Sequence, residues 1–335
     1  MTRLTGGRCR LAGAMGIVAL AVVAVRAQGR APAAAPAAGG TALEVLPVQG
    51  HVSLIAGAGG NILVQAGPDG VVLVDAGDGT RSAEVLAAIR RLATEPIRAI
   101  ISTTGDADHM AGNATLAAAG RPLSGPPLPV FGTEPLLLRV SAPKGEPSAL
   151  AGELWPTDTF LEKTNLYLNG EAIQMVAAPA AHTDGDLTVF FRKSDVIAAG
   201  DVLDTTRFPV IDVARGGSIQ GELAALNRLV DLAIPPTPLT WQEGGTKVVP
   251  GHGHICEQAD VVEYRDMVTI IRDVIADGVK KGLPLERIQS MTPTLGYTTQ
   301  YGATTGPWTT NQFVAAIYQS LTAAPKAAKQ PTEQQ

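Results

Sequence analysis

The chain has 335 residues, 45% of them hydrophobic, which is enough apolar material for one large core or two small ones. Lys and Arg number 26 against 31 Asp and Glu, and the first 27 residues hold four arginines and no acid, so a chain without them carries 22 against 31, a net charge of −9. That balance argues against nucleic acid as a partner, which needs a basic surface, and gives no attraction to an anionic membrane.

The N-terminus reads as an address. Arg3, Arg8 and Arg10 precede an apolar run from Leu11 to Val25, and Val25-Arg26-Ala27 places small residues at the −3 and −1 positions of a cleavage site. This is the pattern of a secretory signal peptide over residues 1–27, which predicts a periplasmic or secreted chain with no stable membrane insertion after cleavage. The run is short for a membrane span, and an uncleaved anchor is the alternative. APAAAPAAGG (31–40) lies in a flexible linker over residues 28–42. Cys9 leaves with the leader and precedes the apolar run, so it is not placed like a lipoprotein cysteine. Cys256 alone cannot form an internal disulfide.

Beyond the linker, strand and helix signals alternate. HVSLIAG (51–57), NILVQAG (61–67) and VVLVDAG (71–77) are apolar β-type runs broken by Gly and Pro, and His51 reads as a strand residue. Residues 82–94 have helical spacing at Val85, Leu86, Ile89 and Leu92 and stop before Pro96. IRAIIS (97–102) is the next strand. A second series follows in TNLYLNG (164–170), AIQMVAA (172–178), LTVFFRK (187–193) and DVIAAGD (195–201). Residues 219–232 form a helix, KVVPG (247–251) a last short strand, and Val261, Tyr264, Val268, Ile271 and Ile275 mark one face of a long helix ending at Gly282. A helix near residues 311–321 precedes a polar tail over 323–335. Residues 121–156 are rich in Pro and Gly and their elements are not placed. With no linker between the two series, residues 43–322 form one domain of two βα halves.

The chemistry lies in the gaps. Loops at one edge of a sheet can converge on a point, and four of them carry ligand-type side chains. TTGDADH (103–109) holds Asp106, Asp108 and His109. PAAHTDGD (179–186) holds His182, AAGDVL (198–203) holds Asp201, and VVPGHGH (248–254) holds His252 and His254. Of only five histidines, four fall in these loops, which is the strongest functional signal in the chain.

VDAG after a strand, then DHMAGN, AAHTDGD, AAGD and VPGHG in that order resemble the metallo-β-lactamase superfamily over residues 43–321. The resemblance implies an αββα sandwich with two metal positions at one edge. The family builds one position from the two leading histidines of HxHxDH and the histidine of HTDGD. It builds the other from the Asp-His pair of DH and the histidine of GHG, with the Asp of AAGD between them. Here the first motif reads Thr104-Gly105-Asp106-Ala107-Asp108-His109, so both leading imidazoles are replaced. Asp108, His109, Asp201 and His252 preserve the second set, while the first retains His182, with Asp106 in place of one imidazole and Thr104 in place of the other.

Two imidazoles and two carboxylates suit zinc, with iron or manganese as alternatives. One zinc per chain is expected, and a second if Asp106 and His182 build a competent site. Thr104 is expected to be a turn hydroxyl bonded to backbone, and Asp75 to tie its strand end to the metal loops. Asp108 is read as a ligand that also orients water, rather than as a helix cap. His254 and Cys256 are read as packing around the ligands, with replacement of a lost ligand by either as the alternative. The glycine pair in PVIDVARGGSIQGELAALNRL (209–229) reads as an ordinary entry to a helix, with an anion site as the alternative. YTTQYGATTGPWTT (297–310) either walls a pocket or covers the core. The implied activity is hydrolysis of an ester, lactone or amide of a small molecule. A binding protein whose first site has decayed is the competing class, and a mononuclear iron redox role is weaker because family oxygenases use the altered set. No residue specifies a β-lactam substrate, and nothing sets the oligomeric state.

Overall fold

The direction in which each strand points its apolar residues decides what covers each sheet. The structure, a computed structural model, describes residues 42–143, 149–236 and 244–323. The expected leader, nearly all of the linker and all but the first residue of the tail lie outside the described residues. Strands β1 (Glu44–Gln49), β2 (Val52–Ala56), β3 (Ile62–Gly67), β4 (Gly70–Val74), β5 (Ile97–Ile101), β6 (Val130–Thr133) and β7 (Asp158–Phe160) pair in chain order into one seven-stranded sheet. It is antiparallel from β1 to β4 and parallel from β4 to β7. Strands β8 (Lys163–Leu168), β9 (Glu171–Ala177), β10 (Leu187–Phe191), β11 (Val196–Asp204) and β12 (Lys247–His252) form a second sheet, antiparallel except for the β11–β12 pair.

The helices are α1 (Ser82–Leu92), α2 (Ala107–Met110), α3 (Asn113–Ala119), α4 (Glu134–Val140), α5 (Ile219–Leu232), α6 (Gln258–Lys280), α7 (Leu285–Ser290), α8 (Thr298–Tyr301) and α9 (Thr310–Thr322). Alternation along the strands sorts the layers. Val72 and Val74 of β4 meet Val189, Phe191, Val196 and Ala198 between the two sheets. Val71 and Leu73 of the same strand turn to Val85, Ala88 and Ile89 of α1 and Leu116 of α3. On the other side Ile197 and Ala199 of β11 face Leu226 of α5, Val268 of α6 and Phe313 of α9. Each fully buried aliphatic or aromatic side chain contributes about 1.5–3 kcal/mol. The two sheets therefore sit as the inner layers of an αββα sandwich, as the family resemblance implied.

A bulge changes the parity of β5. Val71 pairs with Ile97 but Val72 with Ala99, so Arg98 is the extra residue. Ile97 consequently faces the helices while Ala99, two positions on, faces the other sheet. Strand β1 was not foreseen: it is an edge strand carrying Pro47, where the missing N–H costs nothing and the register shifts. His51 is not a strand residue but sits exposed in the turn before β2. Residues 121–156, left unplaced from sequence, contain β6, α4 and a 3-10 turn at Gly152–Leu154. Among the described residues no helix is long and apolar enough to cross a membrane.

Candidate metal centre

The second ligand set is assembled around one buried carboxylate. Asp75, just past β4, adopts φ +64°, a conformation that costs a non-glycine residue about 1–2 kcal/mol. Its carboxylate accepts from the Thr103 amide at 2.8 Å and the Thr103 hydroxyl at 2.7 Å, and lies 2.8 Å from Nδ1 of His109. The structural role expected for Asp75 is thus observed. His109 is fully buried, so Nδ1 donates to Asp75 and Nε2 faces the other ligands. That nitrogen is 3.2 Å from Asp201 Oδ1, yet it makes no aligned hydrogen bond. Gly60 lets the ring lie there, since a Cβ at that position would sit 2.5 Å from His109 Cε1.

His252, at the end of β12, completes the group. Its Nδ1 is 3.0 Å from Asp201 Oδ1 and its Nε2 3.1 Å from Asp108 Oδ2. The two imidazole rings stand edge to face with centroids 5.1 Å apart. Donor atoms of Asp108, His109 and His252 all lie within 4.8 Å of one another. Asp108 is inside α2 and directs its carboxylate to His252, so it is not the cap of a later helix. Burial disfavours the charged rings, but the carboxylates prevail: His252 is pushed up to about 9 by Asp108 and Asp201, and His109 is raised well above its ordinary value by Asp201 and Asp75. Burial likewise opposes ionisation of Asp201, and the three surrounding histidines hold it well below the usual carboxylate range. A buried imidazole nitrogen without an aligned hydrogen bond, facing two carboxylates and a second imidazole, fits a divalent metal.

Asp106, His182 and Asp201 form the other group, again with donor atoms within 4.8 Å. His182 Nδ1 donates to the Val210 carbonyl at 2.7 Å, leaving Nε2 3.0 Å from Asp106 Oδ2. Burial works against its charge, but Asp106 and the nearby Asp186 and Asp201 raise it to about 10. Arg215, which sequence reasoning passed over, enters this group. Its Nη1 pairs with Asp106 Oδ1, and its Nη2 lies 3.2 Å from Asp106 Oδ2 and 3.4 Å from His182 Nε2. Burial of Asp106 is outweighed by His182 and Arg215, and its carboxyl is held low.

The structure thus brings Asp106, Asp108, His109, His182, Asp201 and His252 to one edge. Thr104 differs from expectation, because it is fully buried and its hydroxyl has no hydrogen-bond partner. His254 is exposed beside Thr205, and Cys256 is buried, its thiol pushed up by burial. The Gly216-Gly217 pair packs on the His182 loop, with a Cβ at Gly217 meeting His182 O at 2.2 Å, while Ser218 caps α5. Pro307 and Trp308 resolve the other open segment. Together with Arg207 and Val210 they line a cavity of about 170 Å³ whose floor is the ligand cluster.

Two sheets between helical layers, with histidines and carboxylates gathered where strands of both sheets end, define a fold of the metallohydrolase type. The chain belongs to the metallo-β-lactamase superfamily, whose family model matches residues 47–252. Among solved structures it is similar to a metallo-beta-lactamase from Pontibacter korlensis, at 20% identity and a TM-score of 0.52, covering 68% of this chain and 99% of that one. The metallo-beta-lactamase DIM-1 matches at 18% identity and a TM-score of 0.51, covering 68% of this chain and 98% of that one. The stereoselective inverting sec-alkylsulfatase Pisa1 from Pseudomonas sp. matches at 14% identity and a TM-score of 0.59 over 83% of this chain, which spans 50% of the sulfatase. No curated protein sequence matches.

Proposed function

We propose that the protein is an exported hydrolase holding one divalent metal, zinc by default, on Asp108, His109, Asp201 and His252. It would cleave an ester, lactone or amide of a small molecule. The observation that carries this reading is the buried His109 Nε2, 3.2 Å from Asp201 Oδ1 without an aligned hydrogen bond, in a group with Asp108 and His252 whose donor atoms lie within 4.8 Å of one another. A metal bound there supplies Lewis acidity and a water whose pKa is near neutrality. The chain's own groups do the rest. Asp75 fixes the His109 tautomer, as carboxylates behind ligating histidines do. Asp108, the most exposed of the set at 43%, reaches the cavity and orients the attacking water. Asp106 and His182 line the same cavity, where they would contact the substrate. Trp308, Pro307 and Val210 give it an apolar wall that restricts water.

The sulfatase among the similar folds puts sulfuric esters beside carboxylic and phosphoric ones as substrates to try. The test is metal analysis of the purified chain together with that ester panel and lactones. Turnover that vanishes on metal removal and returns on zinc addition is expected. Metal without turnover on any member would favour a binding protein instead, the reading that the replaced imidazoles at Thr104 and Asp106 support. Export rests on the leader pattern of residues 1–27, and the folded domain on residues 43–322.

A further inference from the structure

We infer that Arg215 is the resident cation of the first ligand group: its guanidinium holds the place a first metal would need and makes the centre a one-metal centre. The inference rests on the proposed function for the metal at the second set, and on separate atoms for its own claim.

The guanidinium is set against both atoms that a metal would use. Nη1 and Nη2 take both oxygens of Asp106, and Nη2 stands 3.4 Å from His182 Nε2. Two parallel N–H bonds to a carboxylate are the geometry for which arginine is suited. His182 has no other nitrogen to offer, because Nδ1 faces the Val210 carbonyl, which can only accept. A metal on Asp106 and His182 would have to displace the guanidinium or sit against it as a second cation.

The arginine is delivered by a built loop. Its Nε donates to Asp212 Oδ2 at 2.7 Å and its own amide donates to Asp212 Oδ1 at 2.9 Å. The loop is joined to the His182 loop by main-chain bonds in both directions: Asp212 N to His182 O at 2.9 Å and Asp184 N to Arg215 O at 3.1 Å. Side-chain exposure of Arg215 is 19%. It is absent from the cavity lining, so it acts through Asp106 and His182 as a positioning residue. The sequence change then has a chemical cause. An imidazole at position 106 could not take a bidentate guanidinium, whereas a carboxylate can. Asp106 and Arg215 therefore replace an imidazole and a metal together, and fixed positive charge is kept at that side of the site.

The test is metal stoichiometry of the full chain titrated with zinc and with cobalt, the latter read by its absorption spectrum. Wild type and Arg215→Lys, which keeps the charge, should bind equal amounts. Arg215→Met should gain one equivalent over wild type, with new cobalt bands, because Asp106 and His182 are released. Two equivalents in wild type would overturn the inference. So would a folded Arg215→Met with no gain. Should Arg215→Met fail to fold, Arg215→Gln, which removes the charge but keeps a hydrogen-bonding side chain, should show the extra equivalent at lower affinity; no gain there overturns the inference equally. Absence of metal in wild type sinks the hydrolase reading alone, since the gain on Arg215→Met is scored relative to wild type.

Discussion

At the scale of single residues the site separates ligands from neighbours of the same polarity. His252 is one of two imidazoles in the second set and touches both Asp108 and Asp201. His252→Ala should therefore strip the metal, measured as metal per chain after dialysis. Thr104→Val should leave metal content unchanged and stability equal or higher by about 1 kcal/mol, because it removes a buried hydroxyl that bonds nothing. Metal retained in the first variant, or lost in the second, would reverse the two assignments. Protons compete for the same nitrogens. The metal-free His252 is raised to about 9, so its proton stabilises the fold fully below its unfolded value of 6.5 and that contribution is lost as pH rises through 9. Metal requires the neutral ring, so zinc affinity should climb with pH up to about 9, roughly tenfold per pH unit for each proton displaced. Titrations at pH 6, 7 and 8 that gave a flat affinity would contradict the raised value. The six side chains that gather at this edge were legible as candidates because each lies in a short motif, five of them after or at the end of a strand and Asp201 within β11. Arg215 was not, since it sits 109 residues from Asp106 and 33 from His182 and nothing in its own loop distinguishes it from a solvated arginine.

At the scale of elements the same contrast holds between local and long-range signals. Helix α5 was read at its full extent, because 14 residues show several turns of period. Helix α6 was marked by its buried face, Val261, Tyr264, Val268, Ile271 and Ile275. Strands β6 and β7 were missed: four and three residues hold at most two periods of the strand alternation, and their parallel pairing joins segments far apart in the chain. What no period reveals is how closely elements approach. Gly221, in the first turn of α5, lies against the loop that carries His182, and a Cβ there would fall 1.9 Å from Ala180 O. Gly221→Ala gains about 1 kcal/mol of helix propensity but must push α5 off that loop, at a cost of about 1–3 kcal/mol or more. Net destabilisation is expected in urea unfolding, and an unchanged or raised midpoint would mean that α5 slides without cost.

At the scale of the whole molecule, two expectations concern what the chain loses and what ties it together. If residues 1–27 are a leader, protein recovered from the exported fraction should begin at Gln28 by intact mass, and a chain retaining Met1 there would rule the cut out. The tie would be the proposed metal. Asp108 and His109 follow β5 of the seven-stranded sheet, while Asp201 lies on β11 and His252 on β12 of the other. One ion on these four would join the two inner layers at a single edge, and that joint is lost on unfolding because the ligands are 93 and 144 positions apart between Asp108 and, respectively, Asp201 and His252. A ligand bound only by the folded state stabilises by mass action, about 2.7 kcal/mol when its free concentration is 100 times Kd. For a domain of this size each kcal/mol moves Tm by roughly 2–4 °C, so chelation should lower Tm by about 5–10 °C, and zinc should restore it in a concentration-dependent way. The same chelator should leave His252→Ala unmoved, since that variant has already lost the joint. Without metal the acids of the cluster still have His109, His182 and His252 as counter-charges, so the fold should persist rather than collapse. Metal shown to be removed with no fall in Tm would mean that the four ligands do not bridge the sheets.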